Sequence, residues 1–133
     1  MITAALLSTA LLFGGMVLYS FGFAAFLFTA LPADVAGPTI RRAFPHFYLF
    51  VIVTAAVGAG LVVMQDIWLA GLLALIALST VPTRQILMPA INHATDTGAR
   101  SRFKWLHSAS VLITLAHIGL AGWVLTQIAA RLG

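Results

Sequence analysis

Four long apolar runs alternate with short polar connectors along the chain, over about residues 3–30, 46–64, 67–88 and 105–130. At about 1.5 Å of rise per residue, each run is long enough to cross a hydrocarbon layer of about 30 Å as a helix. Gln65-Asp66 leaves room for only a very short turn, so the second and third runs form an antiparallel hairpin. The connector over residues 31–45, LPADVAGPTIRRAFP, is punctuated by Pro32 and Pro45, with a turn-favouring Gly37-Pro38 between them. Ile40 and Phe44 lie one turn apart around Arg41 and Arg42. That pattern predicts a short interfacial helix, started or capped by Asp34, whose arginines reach lipid phosphates. Pro82 removes one internal hydrogen bond from the third run and predicts a bend. Residues 89–97 continue as helix beyond the membrane, and Gly98 stops it.

The apolar runs are not uniform. In the first, Ala4, Ser8, Gly15 and Gly22 keep one side small, with Tyr19 on that side. In the second, Ala56-x-x-x-Gly60, with Ala55, Gly58 and Ala59 nearby, makes a close-packing patch. Small residues let a neighbouring backbone approach, and lipid-buried helices gain dispersion contact there. In the fourth, His107, Ser110, Thr114, His117 and Ala121 are spaced 3, 4, 3 and 4, which draws one polar or small stripe down the helix. The predicted fold is all-α, a single integral membrane domain over residues 1–133. It is a four-helix transmembrane bundle with the interfacial helix between spans one and two.

Composition supports the same setting. Of 133 residues, 62% are hydrophobic and 8% charged, against about 25% charged in soluble domains. The first run is too long for the core of a signal peptide and lacks a basic flank, so it reads as a retained span. With no cysteine, disulfides, thiolate metal sites and a cysteine nucleophile are excluded. The formal charge of +4 does not point to nucleic acid, because six of the seven Lys and Arg residues flank apolar runs. Anionic lipid headgroups are their expected partners. Arg41, Arg42, Arg84, Arg100, Arg102 and Lys104 fall on one side of a four-span topology and Arg131 on the other. The positive-inside rule then places both termini outside the cytoplasm. Trp68 and Trp123 mark the outer interface and Trp105 the inner one.

Gly14-Gly15, Ser20-Phe21 and then LPADVAGPTIRRAFPHFY resemble the bacterial branch of the transmembrane protein 205-like family, a group of unknown function. The acidic "LP…AG" connector and the "FP-x-x-Y" at the start of span two carry the likeness. A later stretch is also similar: Met88-Pro89-Ala90-Ile91-Asn92, then Asp96, Phe103-Lys104, Leu106-His107 and Ser110-Val111. The resemblance covers most of the chain. It implies a small four-helix protein of the bacterial inner membrane and brings no reaction and no catalytic residues. Pro38 departs from the pattern and places the start of the connector helix late.

His117 is the sharpest chemical signal. It lies about 18 Å into span four, near mid-membrane, where an ionisable group is a functional candidate. Tyr19, Thr54 and Ser79 lie at comparable or shallower depth. His117 reads as a neutral interhelical bond to Tyr19 or a backbone carbonyl, as a tetrapyrrole or metal ligand, or as a proton relay. His107 and His46 sit at similar depth at the cytoplasmic ends of their spans. They could ligate one haem iron from opposite faces, or simply face headgroups. His93, near Asn92 and Asp96, is a weak metal candidate. Asp96 is expected to pair with Arg100 or Arg102. No span carries paired carboxylates, and neither a Gly-rich phosphate loop nor a nucleophile triad is visible. Two functions follow from this inventory. The first is a non-catalytic accessory or assembly subunit that packs against other membrane proteins through its helix faces. The second is a membrane redox protein binding haem or another tetrapyrrole. A solute pathway ranks third, since polar groups line mainly span four.

Overall fold

The computed structural model describes all residues, 1–133. Its four helices are α1 (Ile2–Ala30), α2 (Ala33–Val62), α3 (Ile67–Asp96) and α4 (Arg100–Ala130). Each is long and apolar enough to span a membrane. At 29 to 31 residues each is a rod of about 45 Å, longer than the hydrocarbon is thick. The chain runs up and down, with α1 against α2 and α4, and α3 against α2 and α4. Leu7, Leu18, Phe26, Leu78, Ile86 and Leu112 are among many large side chains on the outer surface, as a bundle dissolved in lipid requires.

The turns follow the sequence signals. Asp66 caps α3 by accepting from the backbone N–H groups of Trp68 (2.8 Å) and Leu69 (3.0 Å), which are among the groups that a helix start leaves unpaired. At the other end of α3, Gly98 has φ +67°. Ala99 N–H reaches back to the Ala94 carbonyl (2.9 Å) and Gly98 N–H to that of Thr95 (3.3 Å). These are the two bonds of a Schellman cap, and the positive φ is why glycine stands there.

The connector differs from expectation in its extent. Its helix exists, but it is the first part of α2 and not a separate element. α2 starts at Ala33 rather than late, with Asp34 in its first turn and no side-chain cap, and runs unbroken through Pro38 and Pro45. Two segments open into wider π-helix: Leu18–Phe23 in α1 and Thr83–Leu87 in α3. The second follows Pro82 directly, so the irregularity expected at that proline takes the form of a π segment.

The core is displaced to one end. Leu12 and Met16 of α1, Val51 and Val62 of α2, Leu73 and Ile76 of α3, and Val124 and Ile128 of α4 are buried together. All lie in the half that carries the α2–α3 turn and both termini. At that end Arg131 donates to the Asp66 carboxylate, joining α4 to the turn. Gly122 of α4 also approaches Phe13 of α1, where an added Cβ would lie 3.0 Å from the ring. In the opposite half fewer residues are buried: Leu27, Ala36, Phe47, Thr83, Ala94 and Ser110.

Candidate functional site

An aromatic layer closes the core on the side of the poorly filled half. The Tyr19 ring stacks on Phe47 at 4.8 Å and meets Phe44 edge-on at 5.8 Å, while Phe47 and Tyr48 lie 5.4 Å apart. The π segment carries Tyr19, whose hydroxyl donates to the Ala43 carbonyl at 2.8 Å. Beyond this layer α1 and α4 part. The close packing of α1 on α4 is made by Ile2–Val17, and the final stretch Ala24–Ala30 packs on α2.

Between the separated walls lies a cavity of about 630 Å³, bounded by all four helices. Its rim holds Arg41 of α2, Asn92 and Thr95 of α3, and Phe103 of α4. Its middle is apolar, with Phe44, Met88 and Ile91. Its floor brings Tyr48, Ser20, Ser110 and Thr114 together. The volume falls within the range of about 300–1,000 Å³ typical of ligand sites. Ser20 Oγ is buried here without a hydrogen-bond partner.

Arg41 forms a two-pronged bond with the Asp96 carboxylate, at 2.6 Å and 2.9 Å, so the expected pairing of Asp96 with Arg100 or Arg102 is replaced by one that ties α2 to the end of α3. Asp96 lies beyond the hydrocarbon, at the last residue of α3. The hydrogen bonds from Arg41 hold its carboxyl below the usual carboxylate range.

The histidines are not brought together. His107 lines the cavity with its ring stacked on Phe103 at 5.3 Å. His46 is exposed and does not line it. His117 bonds to neither Tyr19 nor a backbone carbonyl; its Nε2 lies 2.8 Å from Ser79 Oγ. It borders a separate small void of about 10 Å³ beside Thr80, Thr83 and Thr114, roughly room for a single water. His93 is exposed, and no cluster of three or more potential metal ligands occurs in the chain.

The cations also divide. Arg42, Arg100, Arg102 and Lys104 are exposed around the cavity end. Arg84 turns inward instead of reaching for lipid, and its Nε–H donates to the Pro45 carbonyl of α2 at 3.1 Å. Among the small residues, Gly15 and Gly58 sit at helix contacts. A Cβ on Gly15 would lie 2.5 Å from the Phe50 ring, and one on Gly58 3.1 Å from Leu73. Gly22 meets only Leu18 of its own helix. Ala56 and Gly60 face outward, with nothing within 4 Å of the Gly60 position. The inward seam of α2 is Ala55, Gly58 and Val62, so the Ala56-x-x-x-Gly60 motif lies on the wrong face for internal packing. Ser8 Oγ–H supports the true seam by donating to the Thr54 carbonyl at 3.1 Å.

Asn92, Phe103 and Ser20 are cavity residues that sequence reasoning did not single out as a site. Their signal lay in the polar end of α3 and the small-aromatic pair Ser20-Phe21, but only the parting of α1 from α4 gives them a common space. Chemically the arrangement offers a cation, an amide, an imidazole and hydroxyls around an apolar channel. Comparison with curated proteins found no match, and neither did comparison with solved structures. One family model, described as a domain of unknown function (DUF4149), matches residues 7–100.

Proposed function

The chain belongs to the DUF4149 family, and from that premise we propose that this small multi-pass membrane protein is a non-catalytic accessory or assembly subunit of the bacterial inner membrane. One observation carries the reading. Ala56 and Gly60 form a close-packing motif on the outer face of α2, where the monomer supplies no neighbour. In lipid, such a face gains contact when another helix nestles against it. The finer likeness, to the transmembrane protein 205-like group, is compatible with that role and adds no residue to it.

The test compares two glycines one half-turn apart. Gly58→Leu collides with Leu73 inside the bundle and lowers its melting temperature. Gly60→Leu leaves melting unchanged and reduces the size of the assembly extracted in mild detergent. An assembly unchanged by Gly60→Leu would remove the proposal. The orientation, with both termini non-cytoplasmic, rests on six cations at one end against one at the other. Because the chain lacks cysteine, single cysteines at Ser101 and Gln127 report it directly. Labelling of the first from the cytoplasm and of the second from outside is the expected result.

A second reading, binding of haem or another tetrapyrrole, is favoured by His107 on the cavity wall. His117 is committed to Ser79 and His46 lies outside the cavity, so ligation would rest on one histidine. A Soret band in the gently solubilised protein, lost in His107→Ala, would establish it. A colourless preparation would eliminate it.

A further inference from the structure

We propose that the cavity at the cationic end holds one acyl chain of an anionic phospholipid from the surrounding leaflet, with the lipid phosphate at Arg41. This goes beyond the accessory role, because it assigns a specific ligand site whether or not a partner protein binds.

Shape is the first support. On α4 the wall runs from Phe103 to Leu115, about 18 Å along the helix axis. The space is therefore elongated along the direction in which lipid chains lie. The second support is access. Once α1 leaves α4, the cavity is flanked by Phe21, Phe28, Val111 and Leu115, all exposed on the outer surface. A chain can slide in sideways from the bilayer without passing through water.

Polarity is the third. Arg41, level with Asp96 at the end of α3, stands with Asn92 and Thr95 on the polar rim, and the apolar stretch begins immediately below them at Phe44, Met88 and Ile91. An amphiphile with its charge at one end matches that gradient.

Charge selects the headgroup. Arg41 and the exposed Arg42, Arg100, Arg102 and Lys104 surround this end, opposed by Asp34 and Asp96. Asp96 engages Arg41 through its two terminal nitrogens. A guanidinium has five N–H donors, so the Arg41 side chain, 44% exposed, keeps donors for a phosphate oxygen. The excess of cations excludes a cationic headgroup and disfavours a zwitterionic one relative to a net negative one.

The test reconstitutes the full chain into bilayers of equal phosphatidylglycerol and phosphatidylcholine, followed by gentle release and native mass spectrometry. The wild type should retain one lipid, phosphatidylglycerol in preference to phosphatidylcholine. Ala24→Phe and Val111→Trp, which fill the cavity from opposite walls, should abolish retention while circular dichroism shows folded helix. Arg41→Gln should keep the bound chain but lower the headgroup preference about tenfold, the loss of one charge-assisted bond. Arg102→Gln, outside the lining, should leave retention unchanged and lower the headgroup preference much less than Arg41→Gln does. Equal retention of both lipids, no retained lipid, or retention indifferent to both filling variants would overturn the proposal. So would an Arg102→Gln effect as large as that of Arg41→Gln, which would mark a diffuse basic surface, or a tetrapyrrole mass in place of the lipid.

Discussion

His117 of α4 and Ser79 of α3 meet across the bundle, Nε2 to Oγ, at 2.8 Å. The serine proton is already directed at the Leu75 carbonyl, 2.6 Å away. With that proton on the carbonyl, Ser79 accepts from the Nε2–H tautomer of His117; with the other tautomer the serine donates to Nε2. In lipid such interhelical bonds contribute about 1 kcal/mol. Ser79→Ala and His117→Leu should each destabilise the bundle by about that much, and the double variant should cost less than their sum. Melting in detergent, arranged as a double-mutant cycle, measures the coupling. Strict additivity would mean the two groups do not bond.

Gly15 of α1 lies directly against the Phe50 ring of α2. A methyl group at Gly15 would sit 2.5 Å from two carbons at the far end of the Phe50 ring, so the ring must swing aside. Overpacking of this kind costs about 1–3 kcal/mol. Gly15→Ala is expected to lower stability, Gly15→Leu more so. In a Phe50→Ala background, however, Gly15→Ala should add no further loss. A chemical or thermal unfolding series on the four chains checks it.

Ser20 behaves in the opposite sense. Its hydroxyl is buried at the cavity floor with no partner, and an unpaired buried polar group costs about 1–3 kcal/mol. Ser20→Ala should therefore raise the melting temperature. A decrease would show that the hydroxyl is paired in the membrane, by water or by a ligand.

The Arg41–Asp96 contact should be visible in the pH dependence of stability. Asp96 has a lowered carboxyl pKa in the folded chain, caused first by the hydrogen bonds from Arg41. A depressed carboxylate contributes stability above its unfolded value, near 4, and loses it as pH falls through the lower folded value. Asp96→Asn should therefore melt below wild type at neutral pH and level with it in strong acid. Because both side chains are half-exposed, the difference should be small and should shrink in high salt.

The number of helices, the tight Gln65-Asp66 turn and the Gly98 stop were legible because each rests on local chemistry: apolar length, a capping carboxylate and a positive φ. The α4 stripe was legible as well, since Ser110 and Ala121 are buried on it and His107, Thr114 and His117 face inward features. The outward placement of Ala56 and Gly60 was not. In an all-apolar helix small residues occur on several faces, and only the contact of Gly58 with Leu73 decides which one is internal. The continuity of α2 through Pro45 was hidden for a related reason. Proline reads as punctuation, whereas inside a helix it removes a single donor, the one that would pair with the carbonyl four residues earlier, and a long membrane helix tolerates that loss. The cavity could not be read at all, because nothing in the spacing of Ser20-Phe21 announces that the helix widens there and diverges.

The lopsided core makes the bundle two materials joined end to end. Cooperative resistance to unfolding is concentrated where Leu12, Leu73, Val124 and Ile128 interlock, while the lower contact density of the other half leaves its amides to open on their own. Deuterium uptake would then be graded along each helix instead of differing from helix to helix. The end able to admit a guest would breathe without drawing on the free energy that keeps the molecule folded.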